Sequence, residues 1–327
     1  MTVSASSRET RLLSGPDIRA VLTWLDTIQS VRDSFRAAAA GRILGPAAAQ
    51  VPTPDGSLHL KAGGLLDPSL LSVKANLRPD AGRALGVILL FDPDGVTLRA
   101  VLESAEVTAY RTAATAVVAA GALGAQDNCS VAVLGTGKVA GAVIEALPYE
   151  INVSAFHLWG RNREHAAQLA HANGSSVPVH VHDTPGGATA HADVVVTCTP
   201  SRSPLIETTD LRDGALVLAM GADSPGKREL ADDVLAGAII VADDPVAVTR
   251  VGETAFLPNT AADAVLGDLG SLLAGAVTLP GGTARARVVF DSVGIAFVDT
   301  AVAALVLRKA EANGLGTPFH FTPPVGH

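Results

Sequence analysis

Val131-Ala-Val-Leu-Gly135-Thr-Gly137-Lys-Val-Ala140-Gly141 reads as a strand, a glycine turn and the start of a helix. That succession is the fingerprint with which a parallel sheet holds a dinucleotide. Gly135 and Gly137 permit a tight turn and the close approach of a pyrophosphate. The helix behind them offers unpaired N–H groups and a partial positive charge. An ordinary turn between strand and helix has the same letters, so the flanks decide. From Ser130 onward, strand-like runs alternate with helical patterns. Strands are expected at Val131–Leu134, Ala155–Trp159, Val177–His182, Val194–Thr197, Ala215–Ala219 and Ala238–Val241. This alternation predicts an α/β fold with a doubly wound parallel sheet of the Rossmann kind.

The turn comes late. About 130 residues precede it, which places the dinucleotide domain inside a larger frame. Ser14-Gly-Pro-Asp17 has the form of a capping box with proline in the first turn. It predicts a short helix to about Trp24, and a second from Thr27 to Ala40 stopping at Gly41. Strand-like runs follow at Leu58–Lys61, Leu70–Ala75, Gly86–Phe91 and Thr97–Leu102. Asp92-Pro-Asp-Gly95 is a hairpin signal between the last two. This first part reads as α+β with an antiparallel sheet. A helical pattern spans Glu106 to Leu123, and a long apolar helix from Ser292 to Asn313 is assigned back to the first domain. The expected division is residues 1–120 plus 292–327 for a discontinuous domain, and 121–291 for the Rossmann insertion.

Of the 327 residues 48% are hydrophobic and few are aromatic, so the core is built from Ala, Val and Leu, as suits helices packed on a parallel sheet. The formal charge of −8 argues against nucleic acid or an anionic membrane as a partner. Cys129 and Cys198 are the only cysteines and lack metal or disulfide spacing. No metal is expected, and a reducing, cytoplasmic setting fits. Met1 to Thr10 is polar with Arg8 and Glu9, unlike a signal peptide. Val293 to Leu307 is broken by Asp299 and falls short of a membrane span.

The end of the second Rossmann strand is where NAD enzymes place an acid for the ribose hydroxyls. Here it reads Trp159-Gly160-Arg161-Asn162-Arg163, with no acid before Glu164. Arg161 and Arg163 stand where a 2′-phosphate would sit, which favours NADP(H) over NAD(H); as plain helix-start residues they would simply be solvated. Thr197 and Thr199 end another strand, where hydroxyls either line the nicotinamide side or satisfy backbone groups. Cys198 between them reads as a small core residue. Asp223, in Gly221-Ala-Asp-Ser-Pro-Gly-Lys227, is either part of a turn or a general acid/base. Arg111 opens a helix with Thr112 and is either a surface residue or a bidentate anion partner. Lys61 and Lys74 lie in strand-like runs with apolar neighbours. They read more readily as edge residues with their heads in water than as carboxylate partners in a cleft.

Taken together, these segments resemble the ornithine cyclodeaminase/mu-crystallin family. The matching stretches are the two opening helices ending at Gly41, Ser72-Val-Lys74, Val107-Thr-Ala-Tyr-Arg111-Thr-Ala-Ala114, Val133–Gly137, Gly221–Leu230, Val251-Gly-Glu253 and Val289-Phe-Asp-Ser-Val-Gly294. The resemblance implies a homodimer with a discontinuous substrate and dimerisation domain around an inserted Rossmann domain. It implies that Lys74 contacts a substrate carboxylate, that Arg111 is shared between substrate and cofactor, and that Asp223 is catalytic. Thr197, Lys227 and Ser292 match cofactor-contacting positions, and Val293 lies beside the substrate; Thr136, Lys138 and Val139 in and beside the glycine turn are further candidates for contact with the cofactor. Three departures stand out. Pro46 is followed by Ala47, where the family often has arginine. Lys61 falls near the family's Met-Pro step, with His59 nearest to where ornithine-cyclising members carry glutamate. Val139 replaces a usual glutamine. The strand-end arginines and the resemblance together favour an NADP(H)-preferring oxidoreductase on the C–N bond of an α-amino or α-imino acid, with Lys61 a further carboxylate partner. Its alternatives are an ornithine- or lysine-type cyclodeaminase releasing ammonia, and a non-catalytic NADPH-dependent binding protein like the crystallin.

Overall fold

The computed structural model describes residues 9–79, 84–172, 177–258, 264–280 and 286–321; the polar opening through Arg8 lies outside them. The chain divides into two compact units, one of Met1–Arg111 with Ile295–His327 and the other of Thr112–Gly294. The division falls inside the helix Ser104–Ala122.

The first unit is built on a seven-stranded sheet. Its strands are β1 (Thr10–Leu13), β2 (Ile43–Thr53), β3 (Gly56–Leu66), β4 (Ser69–Pro79), β5 (Leu85–Asp92) and β6 (Thr97–Glu103), with the final strand Thr317–Phe319. From β6 to β2 every neighbour is antiparallel. β1 joins β6 in parallel and carries the final strand on its other side. The predicted hairpin turn is present: Asp92 Oδ1 accepts from the Gly95 N–H at 2.9 Å.

Three strands escaped the sequence reading: β1, β2 and the three-residue final strand. β1 has four residues. β2 is rich in alanine and proline and exposed for most of its length, so it shows no alternation. Its presence overturns the edge reading of Lys61, and the pairing of β4 with both β3 and β5 overturns that of Lys74. β3 lies between β2 and β4, and β4 between β3 and β5. Both lysines therefore stand on interior strands, directly opposite one another in the register.

The Ser14 capping box forms: Ser14 Oγ accepts from the Asp17 N–H and Asp17 Oδ2 from the Ser14 N–H. The helix it starts, Gly15–Val21, is shorter than expected because Thr23 caps the next one, Trp24–Ala39, three residues before the expected start. The closing helix, Ala296–Ala312, is buried around most of its circumference and packs on Trp24–Ala39, β3 and β4. Phe35 and Phe297 meet edge to face at 5.5 Å, both buried. Burial of side chains of this size contributes about 1.5–3 kcal/mol each, which is how a chain segment separated by the whole second unit returns to the first.

The second unit is a parallel sheet of eight strands. In chain order its strands are β7 (Cys129–Leu134), β8 (Val153–Trp159), β9 (Val179–Val181), β10 (Val194–Thr197), β11 (Arg202–Ile206), β12 (Leu216–Ala219), β13 (Arg228–Leu230), β14 (Ile239–Ala242), β15 (Val265–Asp268) and β16 (Val288–Asp291). The main sheet runs β15-β14-β16-β12-β10-β7-β8-β9, and β11 pairs with β13 apart from it. This is the doubly wound α/β fold. The strand order reverses between β7 and β10, which is where such sheets bind ligands. β10, β12 and β16 are buried along their whole length. The sequence reading missed β15 and β16 and the short β11–β13 ribbon. Among the described residues no helix is long and apolar enough to cross a membrane.

Candidate functional site

At the reversal point of the second unit, the Gly135 N–H donates to the Trp159 carbonyl at 2.8 Å, tying the turn to the end of β8. Gly135 has φ +135°, and a Cβ there would come within 2.9 Å of the Cys198 carbonyl oxygen. A side chain is excluded for both reasons. A Cβ on Gly137 would meet nothing within 4 Å. Gly137 caps the helix Lys138–Ala146, which has no side-chain cap and no acid in its first turn. A helix N-terminus without a side-chain cap or an acid is the kind of end that suits an anion.

These residues open on a cleft of about 520 Å³. Thr136, Arg161, Asn162, Thr199 and Arg202 also line it, and among the described residues no carboxylate does. Asn162 is taken up locally, its Oδ1 accepting from the His165 N–H at 3.1 Å. Arg163 turns to Asp183. Arg161 has no ion-pair partner among the described residues and is the cation of this stretch that faces the cleft. Lys138 is exposed and Val139 half-buried in the helix's first turn. Arg202, exposed on β11, was not singled out from the sequence.

Thr197 is fully buried; its hydroxyl donates to Glu229 Oε2 at 2.7 Å and does not line the cleft. Cys198 Sγ donates to the Leu134 carbonyl at 3.4 Å. Burial, with the Glu229 carboxylate adding, pushes its thiol far up, so it is not a nucleophile. Asp223 follows β12. Its Oδ1 accepts from Lys227 Nζ at 2.7 Å and from Ser224 Oγ at 3.0 Å, and both members of the ion pair keep about a fifth of their side chains exposed. Ser292 and Val293 are buried; the Ser292 hydroxyl donates to Asp243 Oδ2 at 2.7 Å and the Val293 N–H to Oδ1 at 3.2 Å. Thr112 is buried as well.

The first unit holds a cluster of its own. Asp299, fully buried on the closing helix, lies between two cations. Lys74 Nζ is 2.7 Å from its Oδ2 and 2.9 Å from its Oδ1, and Arg111 Nε is 2.9 Å from Oδ1. Arg111 is buried, which overturns the surface reading. Burial pushes Lys74 down to about 7, against the opposing pull of Asp299 and with help from Arg111 and Lys61. Burial alone would raise the Asp299 carboxyl, but Lys74 and Arg111 outweigh it and hold it below the usual range. Lys61 is half-buried opposite Lys74. The helix that carries Asp299 is pinned to the sheet by Thr300, whose hydroxyl lies 2.7 Å from Ser72 Oγ and donates to the Gly63 carbonyl. Sequence reading treated Asp299 only as a break in an apolar run. The signal was there: an acid in an otherwise apolar helix needs a buried partner. Lys74 and Arg111 thus place two buried cationic side chains on one buried carboxylate, with Lys61 beside them. Among the described residues no group of three or more His, Cys, Asp or Glu is placed to hold a metal.

Known proteins resemble the chain along its whole length. It is 28% identical to alanine dehydrogenase of Archaeoglobus fulgidus over 331 residues, 96% of this chain and 99% of that one. It is 31% identical to the ketimine reductase mu-crystallin of Rattus norvegicus over 221 residues, 67% of each. A solved archaeal alanine dehydrogenase dimer with bound NAD superposes with a TM-score of 0.88 at 25% identity, covering 96% of this chain and 100% of that one. The sequence pattern of one family spans residues 9–314, from β1 to the end of the closing helix, and by that match the chain belongs to the ornithine cyclodeaminase/mu-crystallin family.

Proposed function

We propose that this chain is an NADP(H)-preferring oxidoreductase acting on the C–N bond of an α-amino or α-imino acid. One observation carries the reading: a glycine-turn cleft without carboxylates and a buried Lys74–Asp299–Arg111 cluster occur in a single chain whose relatives include an amino-acid dehydrogenase and a ketimine reductase. The residues fit a dinucleotide. Gly137 leaves open the space that a Cβ would fill, and the helix behind it keeps its N–H groups uncapped. Gly135, Gly137 and Arg161 would hold the dinucleotide, which when bound would supply hydride chemistry for the substrate's α-carbon.

The protein's own groups do the rest. Lys74 and Arg111, with Lys61 beside them, hold the substrate carboxylate by charge-assisted hydrogen bonds. Asp299 compensates the two buried cations and keeps both heads fixed, so little reorganisation is needed when substrate arrives. Asp223 gives or takes the proton at the substrate nitrogen, oriented meanwhile by Lys227 and Ser224. A C=N group that gains a hydride at carbon and a proton at nitrogen becomes the amine; the reverse direction uses the same groups. The NADP(H) preference rests on Arg161 and Arg202 in a cleft whose second strand ends without an acid. The homodimer rests on the resemblance and on β2, a long outer strand exposed for most of its length.

Asp223→Asn will keep its affinity for NADPH, read by fluorescence titration, and lose turnover by about 10²–10⁴-fold; turnover near that of the parent would remove Asp223 from the chemistry. Arg161→Ala will weaken NADPH binding about tenfold or more and leave NADH unchanged, the loss of roughly one charged contact to a phosphate. Equal losses for both cofactors would refute the 2′-phosphate role. Sedimentation equilibrium at micromolar concentration will give twice the chain mass, and a monomer would refute the dimer.

A further inference from the structure

Three carboxylates stand in motifs that the chemistry above leaves unused: Glu229 in Gly221–Leu230, Glu253 in Val251-Gly-Glu253, and Asp291 in Val289–Gly294. The second unit joins them. Asp291, at the end of β16, accepts from the Glu253 N–H at 3.2 Å, from the Thr254 N–H at 2.8 Å and from the Thr254 hydroxyl at 2.6 Å. Glu253 accepts from the Glu229 N–H at 2.7 Å and the Leu230 N–H at 3.1 Å. Glu229 accepts from the Gly221 N–H at 2.9 Å, the Thr199 N–H at 2.6 Å and the Thr197 hydroxyl at 2.7 Å. Each carboxylate therefore holds the backbone that carries the next.

All three are fully buried, and none has an ion-pair partner among the described residues. A buried carboxylate without a cation is tolerated only when fixed donors meet it. Burial, with Glu229 adding, pushes Glu253 up while the N–H groups that both its oxygens accept from pull it back; burial pushes Asp291 up as well, against the Thr254 and Glu253 donors. Two glycines make the room. A Cβ on Gly252 would stand 2.7 Å from Asp291 Oδ2, and one on Gly221 would stand 2.3 Å from Glu229 Oε2. This explains why glycine precedes Glu253 and heads the Asp223 loop.

The far end of the chain of bonds reaches two functional segments. Thr199 lines the nucleotide cleft, and Gly221 opens the loop bearing Asp223 and Lys227. We propose that Asp291, Glu253 and Glu229 form one positioning relay that sets the Thr199 wall of the cleft and the Asp223 loop. Loosening the relay at Glu253 is then felt at residues Glu253 does not touch. Its bearing on turnover rests on the role proposed for Asp223; the relay itself does not.

Hydrogen exchange by mass spectrometry on the full chain without cofactor or substrate tests it. Glu253→Gln keeps the size of the side chain but turns an NH₂ group toward N–H donors. Exchange at residues 197–201 and 221–226 will rise about tenfold, while β7 and β8 stay as slow as in the parent. Glu229→Gln combined with Glu253→Gln will exchange no faster there than Glu229→Gln alone, because the relay is already cut. Thr254→Val, which removes only one donor to Asp291, will show the same pattern more weakly and serves should the glutamine variants not fold. Acceleration confined to residues 229–230, additive effects in the double variant, or an equal rise in β7 and β8 would each overturn the relay. Since no cofactor or substrate is present, failure here leaves the proposed activity standing, and an inactive enzyme leaves the relay standing.

Discussion

A carboxylate removed from water must be met on every side, and this requirement organises both units. In the first unit Asp299 is met by Lys74 and Arg111. In the second, Glu229, Glu253 and Asp291 are met by backbone N–H groups and threonine hydroxyls. The two solutions have different consequences. Two cations on one acid gather Lys74 and Arg111 at a single buried point, the pair proposed above to hold a substrate carboxylate. Amides around three acids tie each carboxylate to backbone and so hold the segments at Thr199, Gly221 and Glu229 against one another.

The same requirement explains the chain's discontinuity. Asp299 lies 225 residues beyond Lys74 in sequence and is fully buried beside it. The closing helix supplies the compensating charge as well as apolar surface, through Phe297 against Phe35. A first unit ending at Arg111 would leave two buried cations uncompensated, which is costly in an apolar surround.

Local signals were legible in the sequence, and long-range ones were not. The glycine turn, the Asp92–Gly95 hairpin and the Ser14 box each depend on a few adjacent residues, and each formed. β2 was illegible because Ala47, Ala48 and Ala49 between two prolines carry neither alternation nor strand preference. Missing β2 left Lys61 on an apparent edge strand, whereas Lys74 is interior because β3 and β5 flank its strand. The family resemblance pointed Lys74 inward, but its partner Asp299 could be found only from the fold. Thr197 shows the converse: it was read toward the cofactor, yet its hydroxyl is bound to Glu229, a residue whose importance becomes visible only once β10 and β13 are placed. Arg202 likewise gains meaning only as part of the cleft wall.

The central claim is net hydride transfer to the α-carbon of an imino acid. The most direct test uses NADPH carrying deuterium at its transferable position, with a 2-oxo acid plus amine, or a cyclic imino acid, as partner. The account predicts one NADPH oxidised per amino acid formed, with deuterium on the α-carbon of the product. Ammonia release from a diamino acid with no net change in cofactor, or NADPH binding without oxidation across the whole panel, would contradict it.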